Sequence, residues 1–262
     1  MLQALDREQL RQEFANGEPF PYVKIDNFID HAKAEAISAA YPEFELATDA
    51  GLTFSTVNER KKVQITDASQ YPSCIAELNA LLASPKFLRE LSYITGIPGL
   101  LADEQLIGGG MHITGPGGRL DVHVDFNYIA DRKLHRRLNL LLYLNSPWEE
   151  SWGGQFQLWD RDVKRCEVSF APILNRCVIF ETSEISYHGV LPVSSNALSP
   201  RKSFATYYYT SDAPRHWMGV SHGTIFKARP NEKLKGAVLM PVEAARRKIN
   251  ALVGRLKDRV KG

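Results

Sequence analysis

The segment DVHVDFNY, residues 121–128, alternates between two kinds of side chain. Asp121, His123 and Asp125 share one face of the predicted β-strand, because side chains two residues apart point the same way, and the intervening valines point to the other face. Burying an imidazole and two carboxylates together is unfavourable unless a partner compensates their charge. A metal ion bound by His123 and Asp125 would be such a partner.

A metal site of this kind requires a second histidine from a distant strand. Two histidines and one carboxylate on one face of an octahedral ion form the facial triad of non-heme Fe(II) oxygenases. Among the seven histidines, His188 is the candidate, because it opens the short apolar segment YHGVLPV. His112 is not a candidate, since it is out of phase with Met111 in its predicted strand. The sequence therefore predicts a metal site made of His123, Asp125 and His188.

An anion site is predicted in the segment RKSFATYYYT, residues 201–210. Arg201 and Ser203 share one face of this predicted strand. An arginine that faces the interior requires an anion, and its planar guanidinium suits a carboxylate. A metal ion with open positions beside this pair indicates a keto acid that is bound at both ends.

The order His-x-Asp, later His-Gly and then Arg-x-Ser resembles the Fe(II)/2-oxoglutarate-dependent dioxygenases, and more closely their prolyl-4-hydroxylase-like branch. The likeness covers about residues 105–210, and EPFPYVKIDNFID resembles the strand that opens the domain in that branch. It implies Fe(II) bound by His123, Asp125 and His188, with 2-oxoglutarate and O2 as cosubstrates and ascorbate as a further candidate cofactor. Catalysis would then need no side chain beyond the metal and cosubstrate ligands.

The resemblance also implies which residues hold the cosubstrate. Arg201, where some members of the branch have lysine, and Ser203 would bind its distal carboxylate. The segment LLLYLN resembles the strand whose tyrosine helps to hold that carboxylate, and this position is Tyr143. Asn139 shares a face with Tyr143 and is a further candidate ligand. The residues expected in the substrate pocket are Met111, Arg137 and Gln155.

The reaction implied by the resemblance is hydroxylation of an unactivated C–H bond, with release of succinate and CO2. Asp125 fills the place where related halogenases have a small residue, so hydroxylation is expected. The first candidate substrate is a prolyl residue or a free amino acid, and the alternative is a sugar, a glycan or a natural product. Substrate loops are predicted in the irregular segment 45–70 and in 127–137 and 213–235.

Two alternatives have a different chemistry. A non-catalytic metal-binding protein of the cupin type usually has three or four histidines close together, and it would leave Arg201 and Ser203 unexplained. An adaptor that binds a partner through the basic C-terminal helix is the second alternative, and the intact triad argues against it.

The composition bounds the partners and the location. The 262 residues carry 32 Lys+Arg and 30 Asp+Glu, and this balance gives no reason to expect nucleic acid as a partner. Three cysteines without a CxxC motif argue against a disulfide framework. The sequence shows neither a secretory signal nor a transmembrane segment. We therefore predict a cytoplasmic protein that acts on a small-molecule or peptide substrate.

The elements that must position the site change in type along the chain. Residues 1–104 are predicted to be a helical and strand support region of the same domain. Residues 105–212 contain eight short predicted strands, the first two over 105–114 and 119–127, which favour a mainly β fold with flanking helices (α+β) and a double-stranded β-helix, or jelly-roll, core. Residues 213–262 form a C-terminal extension. Its end predicts a basic amphipathic helix that docks on the domain, mediates a homodimer or lies on an anionic membrane surface.

Overall fold

Five helices precede most of the strands in the computed structural model, which describes residues 6–215 and 217–242. The helices are α1 (Arg7–Ala15), α2 (His31–Ala39), α3 (Phe44–Ala50), α4 (Ser73–Leu82) and α5 (Pro85–Thr95). The strands up to the first metal-site strand are β1 (Tyr22–Ile25), β2 (Leu52–Ser55), β3 (Glu59–Ile65), β4 (Leu101–Ala102) and β5 (Gly110–Val124). The later strands are β6 (Tyr128–Ile129), β7 (Leu134–Tyr143), β8 (Phe156–Trp159), β9 (Cys166–Phe170), β10 (Cys177–Glu181), β11 (His188–Val190), β12 (Arg201–Thr210) and β13 (Ile225–Phe226).

Local sequence explains where the helices begin and end. The Asp30 carboxylate accepts a hydrogen bond from the Lys33 backbone N–H and caps α2. The Ser84 hydroxyl caps α5 in the same way, and Pro85 occupies the first helical position, where its missing N–H is not needed. Gly96 ends α5 in the left-handed conformation that favours glycine.

The segment 45–70, expected to be irregular, instead contains α3 and the β2–β3 hairpin. The charged run ERKK opens β3, so no apolar alternation marks this strand in the sequence. Its regular structure comes from pairing, since Val63 lies opposite Ile113 in β5. A long-range partner therefore decides the conformation of this segment.

One long strand, β5, replaces the two strands predicted over 105–114 and 119–127. The sequence GPGG inside it bends the strand without ending it. Gly117 has a φ of 78°, and a Cβ at Gly118 would come within 2.8 Å of a backbone oxygen, so both positions need glycine. The bend sends the two halves of β5 to different neighbours.

The sheet curls around this bend. Its strand order is β1-β10-β7-β12-β5-β11-β8-β9, and the pairings are antiparallel. The first half of β5 pairs with β12, with Thr114 opposite Arg201, and the second half pairs with β11, with His123 opposite His188. The predicted mainly β architecture with flanking helices is confirmed. The curl brings the histidine strands and the arginine strand around one cavity.

The main apolar core lies between the helices and the outer face of the sheet. It joins residues on both sides of position 104, including Phe14, Ile37, Leu78, Leu91 and Leu140. The predicted division of the chain at residues 104 and 212 stays a prediction. The predicted C-terminal helix falls almost wholly on residues 243–262, outside the described residues. Among the residues that are described, no helix has the length and apolar character needed to cross a bilayer.

Candidate metal centre

Three side chains with metal-binding atoms lie together at one end of the cavity. His123 lies at the end of β5, Asp125 follows directly after that strand, and His188 begins β11 directly opposite His123. His123 Nε2 lies 3.5 Å from Asp125 Oδ1, and His188 Nε2 lies 3.4 Å from Asp125 Oδ2. One ligand atom from each residue lies within 4.8 Å of the other two. This donor set suits one face of an octahedral divalent ion.

The second nitrogen of each histidine fixes its tautomer. His123 Nδ1 lies 2.8 Å from the Asp121 carbonyl oxygen, and His188 Nδ1 lies 2.8 Å from the Ser186 carbonyl oxygen. Because a carbonyl oxygen only accepts, both Nδ1 atoms donate, and both Nε2 lone pairs face the shared space. The imidazoles are therefore set to bind a metal ion without rearrangement.

Two side chains orient the carboxylate. Asn139 Nδ2 donates to Asp125 Oδ2 at 2.8 Å, and Arg136 Nη2 lies 3.2 Å from the same oxygen. Arg136 Nε donates to Asn139 Oδ1 at 2.9 Å, so the two side chains brace each other. Asn139, expected to bind the cosubstrate, thus contacts the metal-site carboxylate.

Burial and charge keep Asp125 and His188 in their metal-binding protonation states. Burial raises the pKa of the Asp125 carboxyl, but the Arg136 guanidinium and the interactions with the His188 and His123 imidazoles outweigh it and hold this pKa well below its usual range. Burial, followed by the charge of His123, lowers the pKa of His188 to about 3. The carboxylate is thus ionised and the His188 imidazole neutral at neutral pH.

A buried cation lines the other end of the cavity, and a buried hydroxyl without a hydrogen-bond partner among the described residues lies beside it. Arg201 is buried, its Nε donates to the Gly154 carbonyl at 2.8 Å, and no carboxylate in the described ranges forms an ion pair with it. Its guanidinium carbon lies 4.9 Å from the centre of the Tyr143 ring. Ser203 lies opposite Tyr143 in the register, and the buried Tyr143 hydroxyl has no hydrogen-bond partner among the described residues. A carboxylate bound here would satisfy both groups.

A cavity of about 380 Å³ connects the two ends. Its size lies within the usual range for sites that bind small molecules, about 300–1,000 Å³. Residues of the triad, the β2–β3 hairpin, β7, β12 and β13 line it, among them His123, Asp125, His188, Arg201, Ser203, Asn139, Lys62 and Phe226. A bidentate ligand on the metal ion would therefore have space to extend towards Arg201.

Met111 and Gln155, expected in the substrate pocket, lie elsewhere. Met111 packs in the helix-facing core, and His112 lines the cavity in its place. The face was assigned wrongly only in the first half of β5, because the helix layer covers the face that carries Met111. A register shift between Leu120 and His123 changes the phase, so that His123 and Asp125 face the cavity as predicted. Gln155 Nε2 donates to the Glu150 carbonyl, and its neighbour Phe156 faces the cavity.

Arg137 also lies outside the cavity, where it contacts Glu181 at 3.6 Å. The register between β7 and β12 shifts between Tyr208 and Tyr209, which leaves Arg137 as the extra residue of a β-bulge. The bulge turns Arg136 towards Asp125. Strict alternation predicted that Arg137 faces the cavity and that Arg136 faces away from it. The sequence carries no signal for this bulge.

A second bulge brings in residues that the sequence did not single out. In β3 the register shifts between Arg60 and Lys62, and Lys61 has a φ of 46°. As a result Glu59 and Lys62 both line the cavity, with Lys62 Nζ 3.2 Å from Glu59 Oε1. A bulge that turns side chains towards a site is a common device near functional centres. Lys61 adopts its positive φ at the point where the register between β3 and β5 shifts.

Comparison with known proteins agrees with the resemblance predicted from the motifs. Residues 109–209 match the family model described as the 2OG-Fe(II) oxygenase superfamily. A segment of 78 residues is 36% identical to prolyl 3-hydroxylase OGFOD1 of Mus musculus. This segment is 28% of the chain and spans only 14% of the length of that relative.

Solved structures of two prolyl hydroxylases share the fold. A prolyl-4-hydroxylase of Pseudomonas putida has a TM-score of 0.53 at 17% identity, covering 77% of this chain and 99% of its own. A prolyl hydroxylase of Trichoplax adhaerens, in complex with a peptide fragment of hypoxia inducible factor, has a TM-score of 0.54 at 18% identity. It covers 78% of this chain and 90% of its own. At these identities the likeness shows the fold, and the predicted jelly-roll core is confirmed.

Proposed function

Residues 109–209 belong to the 2OG-Fe(II) oxygenase superfamily, and from this premise we propose that the protein is an Fe(II)- and 2-oxoglutarate-dependent dioxygenase that hydroxylates an unactivated C–H bond. One observation carries the proposal. A three-residue metal-ligand set and a buried arginine that has no ion pair within residues 6–215 and 217–242 face the same cavity from opposite ends. A keto acid with two carboxylates fits both ends at once.

The residues of the metal site have separate tasks in this reaction. His123, Asp125 and His188 would hold Fe(II), and Asn139 and Arg136 keep the Asp125 carboxylate oriented. When bound, Fe(II) supplies the redox chemistry that couples O2 to the decarboxylation of 2-oxoglutarate, giving succinate, CO2 and a hydroxylated product.

The cosubstrate end is built for a carboxylate. Arg201 would form charge-assisted hydrogen bonds with the distal carboxylate, and the Tyr143 and Ser203 hydroxyls would donate to it. Burial lowers the pKa of Arg201, but an arginine remains charged at neutral pH. The bound carboxylate would therefore give Arg201 the ion pair that it lacks among the described residues.

Aromatic rings enclose the metal end. The Phe180 ring centre lies 4.7 Å from that of His188, the Phe156 ring centre lies 5.6 Å from it, and the Phe226 ring centre lies 5.3 Å from that of His123. Such rings exclude water and restrict access to a reactive centre. The oxidising chemistry would be directed to a bound substrate.

A prolyl residue of a peptide is the substrate that the comparisons favour, since prolyl hydroxylases are among the relatives and one of them is bound to a peptide. A free amino acid, a sugar, a glycan or a natural product is the alternative. For either class of substrate, the Glu59 carboxylate in the cavity wall offers a hydrogen-bond acceptor and the Lys62 ammonium offers a donor. The cytoplasmic location, the lack of a nucleic-acid partner, the homodimer through the C-terminal helix and the use of ascorbate remain parts of this proposal.

Anaerobic titration with Fe(II) and then 2-oxoglutarate tests the proposal. The wild type is expected to develop a weak visible charge-transfer band, which His188→Ala abolishes. His31→Ala is the matched control, because His31 is exposed on α2 and pairs with Glu35 far from the cavity. An iron-loaded wild type without this band would contradict the dioxygenase, and the non-catalytic metal-binding alternative would then be favoured.

A further inference from the structure

Residues 224–235, which we call the strap, follow the family-matched region and cross the strand that bears the metal-site residues. In the strap, β13 pairs with the end of β5, so that Phe226 lies opposite His123. The Lys227 N–H donates to the Val122 carbonyl at 2.8 Å. Thr224 and Phe226 line the cavity, although the match to the superfamily ends at residue 209. Part of the cavity wall is therefore an addition to the matched core.

A buried carboxylate anchors the strap. Asp121 is fully buried, and Lys235 Nζ donates to its Oδ1 at 2.6 Å. Arg229 Nη1 lies 3.6 Å from the same oxygen, and Arg119 Nε lies 3.5 Å from it on the other side. Two of these three cations, Lys235 and Arg229, belong to the strap. Among the described residues, the strap thus supplies two of the three cations that compensate the buried charge of Asp121.

The anchor is connected to both histidine strands. The carbonyl of Asp121 accepts the Nδ1 hydrogen bond of His123. Arg229 Nη2 donates to the carbonyl of Val190, two residues beyond His188. A change in the strap would therefore act on the Asp121 backbone, which orients His123, and on the strand that carries His188.

We propose that the strap completes the metal centre, with Phe226 covering the His123 imidazole and with Lys235 and Arg229 as positioning residues that hold the strap through Asp121. This inference rests on the proposed function. If Lys235 is removed, the Asp121 carboxylate loses the closest of the cations described around it and moves towards water, because a buried charge with less compensation is unfavourable. That movement would displace the backbone of Asp121, whose carbonyl oxygen orients the His123 imidazole.

Lys235→Met tests the anchor in the full chain. We expect Fe(II) to bind about tenfold more weakly in anaerobic titration, the size of effect seen when groups that orient metal ligands are removed. We also expect faster amide hydrogen exchange in the strap and in the second half of β5. Lys235→Arg keeps the charge and should restore most of both properties. Lys233→Met removes an exposed lysine of the same segment and should change neither.

A second variant isolates the ring. Phe226→Ala leaves Lys235, Arg229 and Asp121 in place, so the strap should stay anchored, with hydrogen exchange at residues 228–235 unchanged. Without the ring over His123, the Fe(II) affinity and the charge-transfer band are expected to decrease. An unchanged Fe(II) affinity would overturn the role of Phe226.

A stability control separates positioning from general weakening. Ile94→Val, in the core of α5, destabilises the helix layer without touching the strap. If Ile94→Val weakens Fe(II) binding as much as Lys235→Met, or if Lys235→Met behaves like Lys233→Met, the strap proposal is overturned while the dioxygenase stands. If the wild type binds no Fe(II), both proposals are overturned.

Discussion

The two faces of the central strands differ in what they demand of their side chains. The face towards the helices carries buried apolar groups, namely Met111, Ile113, Leu138, Leu140, Leu142, Phe204 and Tyr208. The face towards the cavity carries mostly buried polar groups, namely His112, Thr114, Asn139, Arg201 and Ser203. The Tyr208 hydroxyl donates to the Leu82 carbonyl, whereas the Tyr143 hydroxyl near the cavity has no partner within the described residues. One face stabilises the fold, and the other keeps Arg201 without an ion pair, and Tyr143 without a hydrogen bond, among the described residues, at the expense of stability.

Arg201→Met should give the largest effect and should separate the two faces. We expect the affinity for 2-oxoglutarate to fall about 10³-fold, about 4 kcal/mol, because the carboxylate loses a buried charged partner. The melting temperature of the ligand-free protein should not fall, since Met keeps the apolar stem and removes an uncompensated buried cation. Isothermal titration and thermal melting measure the two effects. Arg137→Met is the control and should leave the affinity unchanged, because Arg137 pairs with Glu181 outside the cavity.

Leu140→Ala and Leu141→Ala compare adjacent residues on opposite faces. Leu140 is fully buried against the helices, and Leu141 is half-buried and lines the cavity. We expect Leu140→Ala to lower the free energy of unfolding by about 3 kcal/mol and Leu141→Ala by about 1 kcal/mol. Urea denaturation measures both. Equal losses would contradict the division of roles between the faces.

The buried His112 gives the cavity face a pH-dependent effect on stability. Burial, followed by the charges of Lys62 and Arg201, lowers the pKa of His112 well below its ordinary value of 6.5. The unfolded chain therefore binds a proton that the folded chain does not, and stability falls as the pH drops below about 6.5.

The slope that His112 contributes approaches about 1.4 kcal/mol per pH unit. His112→Gln should reduce the pH dependence of unfolding between pH 6.5 and 4.5, and His188 should retain a contribution of the same sign. A slope unaffected by His112→Gln would show that the folded protein accepts the proton.

Tyr143→Phe and Tyr208→Phe should give the smallest effects, with opposite signs. Tyr208→Phe removes a buried hydrogen bond and should cost about 1 kcal/mol of stability. Tyr143→Phe removes a buried hydroxyl without a partner in the described structure, so the ligand-free protein should become more stable by about 1 kcal/mol. The same variant should weaken binding of 2-oxoglutarate. Chemical denaturation without the cosubstrate measures the change in stability of each variant, and denaturation with 2-oxoglutarate measures the weaker binding. Destabilisation of the ligand-free protein by Tyr143→Phe would contradict the difference between the two faces.

Where the strands are regular, the alternation of side chains correctly predicted which residues share a face. His123 and Asp125 are two residues apart on one strand, and Arg201 and Ser203 are two apart on another, so each pair had to share a face. The structure brings both pairs to one cavity, together with His188. Alternation failed at the bulges, where one extra residue puts Arg136 in the position expected for Arg137 and turns Glu59 and Lys62 inwards.

The sequence by itself determined the candidate metal ligands, the anion-binding pair and the mainly β architecture, because side-chain chemistry and the period of two are local properties. Only the tertiary structure decided which face of β5 is the core, since the helices that cover Met111 are far away in the chain. It also decided that GPGG bends one strand instead of joining two, that β3 forms on β5, and that Phe226 reaches His123. Each of these depends on a partner that is distant in sequence, and no local pattern specifies that partner.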